Sequence, residues 1–403
     1  MQEKPKRKGI PPRSGLYLTV GIFVGVVLAG LGFAGLTLLS PERAVLSTPT
    51  HAEGRLFAVT GQPQSTVPPQ AQIQPTLIAS HLTAVAVAQD GDTFAVAKWE
   101  QVDVDNDGIT EMGTVIEVLR QRNENSLLSD ARVLFKTRDQ ISTLSFSTDG
   151  TKLVTGTNSF ANNRMFILDV ASGDVLMAFT GYAIGTFSPD GSLLALAGRN
   201  GGIRLLDGDT LAFRQAISIE QTTPVYSLAF SPDSRLLAVG SIINEQNGVH
   251  IYDMNNLDAQ PESYGADQRV TDISWHPDGQ RLALAVGSHA LVVNRADGAF
   301  RSMSFDGRQV TAVGFGMMGD WLAVAGGDSG IGMGMVNVWR WDNGSNQPII
   351  DSAMPLLFDG HQHLVTGLTF LPDNPAQLVS VSRDGSMRLW DAPQVAQLSQ
   401  LQV

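Results

Sequence analysis

The segment DVDNDGITE at 103–111 places Asp103, Asp105 and Asp107 on alternate positions, follows them with Gly108, and returns a carboxylate at Glu111. Oxygens at this spacing, together with the Ile109 carbonyl, can converge on a calcium ion, and the glycine permits the sharp turn that brings them together. An acidic hairpin turn of the Asn, Asp and Gly type is the rival reading of the same residues. His361 and His363 have the spacing of two metal ligands on one side of an extended segment, but no further ligands stand near them in the sequence, as a zinc site would need. The run GGDSGIGMG at 326–334 has the glycine content of a phosphate cradle. No helix follows that could offer an N-terminus to the anion, so it reads as a loop between strands. Met317, Met318, Met333 and Met335 form either a soft binding surface or, for at least two of them, core. No Ser-His-Asp order or paired-carboxylate arrangement stands out among the 39 acids.

Composition narrows the function classes. The chain has 403 residues, 43% hydrophobic and 16% charged, which is core-forming material and too little charge for a disordered chain. A net charge of −12 argues against nucleic acid as a partner, since phosphate binding needs a basic stripe. With no Cys there are no disulfides, thiolate metal sites or thiol nucleophiles. For a large exported domain that lack fits a bacterial envelope better than a eukaryotic secretory route.

Residues 1–15 are a basic tail with Lys4, Lys6, Arg7, Lys8 and Arg13 against Glu3. Residues 16–39 carry no charge, and as a helix they would be about 36 Å long, enough to cross a hydrocarbon core. The run exceeds the apolar region of a cleaved signal peptide and lacks a small-x-small cleavage site after it, so it is expected to be an uncleaved single-pass anchor. The basic flank puts the N-terminus in the cytoplasm and everything after residue 39 on the extracytoplasmic side. Gly21, Gly25 and Ala29 have a spacing that would let two such helices pair as a homodimer, although the glycines of the span give it by chance as readily. Residues 40–75, rich in Pro, Ser, Thr and Gln, read as a tether.

From residue 82 an apolar strand, a turn and a second apolar strand recur seven times, with the turn aspartate at 90, 149, 190, 233, 278 and 373 and Met318 in the sixth slot. Third strands ending near Asp follow, as in MFILDV, IRLLDG, VHIYDM, VNVWRWD and MRLWDA. Short strands at this period, with no helical pattern, predict an all-β array that buries its faces by stacking blade on blade and removes its edges by closing a ring. On these residues the chain over 76–403 resembles the Trp-Asp (WD) repeat β-propeller family. The resemblance implies a seven-bladed propeller in which His361, Ser382, Asp384 and Trp390 form the structural hydrogen-bonded tetrad of the last blade. It implies too that the other blades, with Leu168-Asp169, Leu206-Asp207 and Tyr252-Asp253 at the naming dipeptide, rely on packing. PTLIASH at 75–81 parallels PLLFDGH at 355–361 and is expected to supply the outer strand of the last blade, with the C-terminal VAQLSQLQV competing for the place.

The long insertions fall in blades one and six, which flank blade seven. The acidic loop, the Gly/Met loop and the 361–363 segment are therefore expected on one arc of one face. Ser329, Met333, Met335 and His363 are its candidate partner residues. The expected function is a membrane-tethered scaffold that binds a protein or other ligand without catalysis of its own. A hydrolase or lyase using acids, and calcium, in the central channel is the alternative.

Overall fold

The computed structural model describes residues 80–120, 131–157, 164–198, 202–219, 224–243, 246–328, 330, 332–342, 344, 347–348, 355–393 and 396–402. The anchor, the Gly21, Gly25 and Ala29 motif, the tether and Ser329 lie outside the described residues. The seven sequence units become seven antiparallel sheets, each a meander. The inner strands are His81–Val87, Ile141–Phe146, Tyr182–Phe187, Val225–Phe230, Val270–Trp275, Gln309–Phe315 and Val365–Phe370. Among the described residues there is no helix. The second strand of each blade is sandwiched between two neighbouring blades and so reads as a continuous apolar run. Arg281–Val286 is buried at every position. Outer strands such as Val175–Thr180 face solvent.

The turn between first and second strands explains the recurring aspartate. Asp149, Asp190 and Asp233 each accept the hydroxyl of a serine two residues earlier and the N–H two residues later. The same serines, Ser147, Ser188 and Ser231, accept the N–H five residues on, at 2.9 Å. At Asp149 burial pushes the pKa up, but the bonds from Ser147 and Thr151 outweigh it and hold the carboxyl at about 2. Asp190 and Asp233 are lowered by the same hydrogen bonds. These turns and those between third and fourth strands share one face of the ring, the turn face. The other face carries the loops between second and third strands and the crossings from blade to blade.

Every inner strand slips register by one residue near its start, at Thr83, Ser142, Ala183, Tyr226, Thr271, Thr311 and Thr366. Such a bulge turns its side chain out of the pleat. The structure uses this to latch neighbouring blades. Thr83 donates to the Ile141 carbonyl at 2.6 Å, Thr311 to that of Val365 at 2.6 Å, and Thr366 to that of Leu82 at 2.8 Å. In each case the acceptor stands immediately before the next blade's bulge.

Closure differs from the expectation. The outer strand of blade seven is Ala396–Gln402, paired along Ser386–Asp391, while His81–Val87 is the inner strand of blade one. Leu356–Phe358, the supposed parallel of the N-terminal segment, is an outer strand of blade six, against Val336–Val338. Among the described residues no strand is shared across the seam. It is held by Leu82, Phe94 and Val96 against Val379, Val381 and Leu389, by the Thr366 latch, and by a 2.6 Å contact of His81 Nδ1 with the Arg383 carbonyl. Gly91, at φ +75°, lets the first turn of the ring approach the last: a Cβ there would stand 2.4 Å from the Asp373 carboxylate.

Candidate functional site

In blade one, Thr93–Val102 and Glu111–Arg120 form a long hairpin whose tip is the acidic loop. Asp103 caps that tip, accepting the N–H groups of Asp107 at 3.1 Å and Gly108 at 2.9 Å, and Asp107 accepts the N–H of Ile109 at 2.8 Å. One carboxylate oxygen each from Asp103, Asp105 and Asp107 lie within 4.8 Å of one another. Glu111 is not among them; it binds the Arg138 guanidinium, which Asp105 also binds. Lys136 donates to the Asp103 carbonyl at 3.0 Å. The donor set thus fits a cation through three carboxylates, with Arg138 supplying part of the positive charge that the cation would bring. Ile109 is 70% exposed.

In blade six the strands Trp321–Asp328 and Met333–Asp342 extend into the Gly-rich run, leaving a short loop between them. Gly334 permits close approach of the 361–363 segment: its N–H reaches the His361 carbonyl at 3.2 Å, and a Cβ would stand 2.0 Å from the His363 carbonyl. The methionines do not gather. Met333 is exposed on this face, Met317 and Met318 are exposed on the turn face, and Met335 is buried in the core between blades five and six with Arg308 on its sulfur. Met335 is therefore no surface residue: it lies on the same side of its strand as Met333 but two residues further in, where blade five covers it. His363 takes the N–H of Leu364 on Nδ1, and its ring lies 6.5 Å from that of His81, so the arc runs unbroken from blade six through seven to one.

The last blade carries the hydrogen-bonded network, with one member different from expectation. Trp390 Nε1 donates to Ser380 Oγ at 2.7 Å, and Ser380 Oγ lies 2.7 Å from His361 Nε2. His361 Nδ1 is 3.1 Å from Asp384. Since the indole can only donate, the serine proton goes to Nε2 and the imidazole gives its Nδ1 proton to Asp384. Ser382, two residues along the same face, instead donates to the His363 carbonyl at 2.8 Å and pins the arc. Burial lowers the His361 pKa against the raising effect of Asp384, keeping the ring neutral. Burial raises Asp384, but the bonds from His361 and Ser386 outweigh it and leave it well below the carboxylate range. His361 is held through both ring nitrogens and His363 through Nδ1, and among the described residues the two are not grouped with a third metal ligand.

Five of the seven bulge residues, Ser142, Tyr226, Thr271, Thr311 and Thr366, line a central channel of about 230 Å³. Its other walls are hydroxyls and aliphatic groups, with Asp272 the one carboxylate among the lining residues. Asp272 accepts the N–H of its neighbour Ile273 and that of Val313 on blade six, both at 2.9 Å. Ser274 accepts the N–H of Phe315 at 3.0 Å. Desolvation raises Asp272 to about 7, against the lowering effect of those two N–H groups. A folded pKa above the unfolded value contributes stability that is complete below about 4 and is lost as pH rises through about 7. Asp272→Asn can accept only one of those two N–H groups, so the comparison is of pH profiles: the parent is expected to lose ~2 kcal/mol relative to the variant as pH rises from about 4 through about 7, given the carboxylate's contact with channel space. Equal pH profiles of the two proteins would remove Asp272 as the cause. No base stands beside this acid among the described channel residues.

The WD domain, G-beta repeat family model matches residues 215–253 and 355–391. Each match runs from the outer strand of one blade through the third strand of the next, so the sequence repeat is offset by one strand from the sheet. No curated protein matches the chain.

Proposed function

We propose that this WD-repeat propeller is a membrane-tethered, extracytoplasmic scaffold without catalysis of its own, and that it binds a protein partner on the face where blades six, seven and one meet. The fold supports binding, as propellers of this kind commonly hold protein partners. The observation that carries the choice of face is the contact of the 334 backbone with the 361–363 segment and of His363 with His81, which makes three blades present one continuous surface edged by Ile109 and Met333. The uncharged run at 16–39 behind a basic tail supports the anchor and the orientation.

Because the chain has no Cys, a single cysteine is a clean reporter. Ile109→Cys in intact cells is expected to react with a membrane-impermeant maleimide, and a photoreactive residue at 333 is expected to cross-link a protein. Labelling only after lysis would overturn the orientation, and cross-linking from the turn face alone would overturn the arc.

The convergence of three carboxylates favours calcium on the acidic loop as a second property of this face. Arg138 competes for Asp105, so calorimetric titration of Arg138→Gln should show tighter calcium binding than the parent, and Asp105→Ala none. Equal heats from all three proteins would reduce the loop to a capped turn.

A further inference from the structure

The turn face holds a second feature, unrelated to the arc. At its centre the channel widens into a mouth of about 570 Å³ walled by Phe187, Phe230, Trp275 and Phe315 and rimmed by Pro232 and Met317. The aromatic edges at its base are buried, whereas Met317 is 50% exposed at the rim. An apolar hollow open to water is an unfavourable surface unless something fills it.

The charge around the mouth identifies what could. The turn aspartates surround it in six of the seven blades, and their hydrogen bonds hold Asp149, Asp190 and Asp233 ionised. Of the cations on this face, Arg214, Arg281 and Arg295 are paired with Asp207, Asp278 and Glu262, and Arg120, Arg132, Lys152, Arg235 and Arg340 are fewer than its remaining acids. The opposite face mixes its acids with Lys136, Arg138, Arg269, Arg308 and Arg383. The ring is thus electrically polar, with excess negative charge about an apolar centre. We infer that the mouth of the turn face docks a cationic segment of a partner protein, one apolar side chain of which enters the hollow while flanking Lys or Arg residues meet the turn aspartates. Complementary charge steers the encounter, and the buried anchor supplies most of the affinity.

Fluorescence anisotropy on the full chain in detergent tests this with a labelled lysine-rich peptide carrying one central phenylalanine. Binding is expected to weaken roughly tenfold when that phenylalanine becomes glycine, and to fall steeply with added salt. Met317→Lys should weaken it by roughly tenfold, Met317→Leu should retain it, and Leu357→Lys on an outer strand of blade six should leave it unchanged. Thermal melts of these variants establish that each is folded. A glycine peptide that binds as well, or indifference to Met317→Lys, would overturn the inference. So would a peptide of residues 1–15 that occupies the mouth more tightly, since the occupant would then be the chain's own tail.

Discussion

Ser380→Ala is expected to destabilise the propeller by ~3 kcal/mol, whereas Ser382→Ala should remove ~1 kcal/mol. The difference lies in what each hydroxyl leaves behind. Ser380 is fully buried and bridges Trp390 Nε1 and His361 Nε2, so its loss strands two polar groups in a site that excludes water. Ser382 is equally buried, but it joins two backbone groups, the Asp384 N–H and the carbonyl of half-buried His363, next to a face from which water can replace it. Denaturant melts of the two variants measure the gap, and a larger effect from Ser382 would return the network to the place its family resemblance implied. Trp390 packs its ring on Phe358 and His361, so loosening the indole also loosens the outer strand of blade six.

Removing residues 396–403 is expected to lower the melting midpoint by roughly 10 °C and to cause self-association, while removing residues 1–75 should leave the midpoint unchanged. Ala396–Gln402 pairs along the whole of Ser386–Asp391, and without it the third strand of blade seven becomes an open edge next to buried Met387, Leu389 and Trp390. Scanning calorimetry with light scattering reads both quantities. If instead the N-terminal deletion lowers the midpoint, a strand from that end takes part in closing the ring.

The blades were legible in the sequence because two physical constraints repeat there: a second strand that must be apolar on both faces, and a turn whose aspartate satisfies its own backbone. Blade six lacks that aspartate, yet the apolar pattern of Trp321–Ala325 suffices. Register within the last blade was less legible. Ser380 and Ser382 point to the same side of their strand, and only distance separates the one under the indole from the one beside His363. Closure was misread because PTLIASH and PLLFDGH share a pattern that an outer strand of any blade would show. Arg138, which binds two carboxylates of the acidic loop, stands 27 residues beyond Glu111 and just past another strand, so no local spacing reveals it. Asp272 sits in an unremarkable strand, and its character comes from a channel wall that six other strands build around it.

A seam that, among the described residues, closes by packing without a shared strand has a consequence for how the chain is made. Each sheet is contiguous in sequence, so during synthesis every blade can complete its own ladder before the next emerges. Only the packing of blade one on blade seven must wait until blade seven has emerged. Until then, the apolar side of the first blade, with Leu82, Phe94 and Val96, stays uncovered. The newborn protein is an open arc with one sticky end, and it is during that interval, before the last strand arrives, that a chaperone would have something to hold.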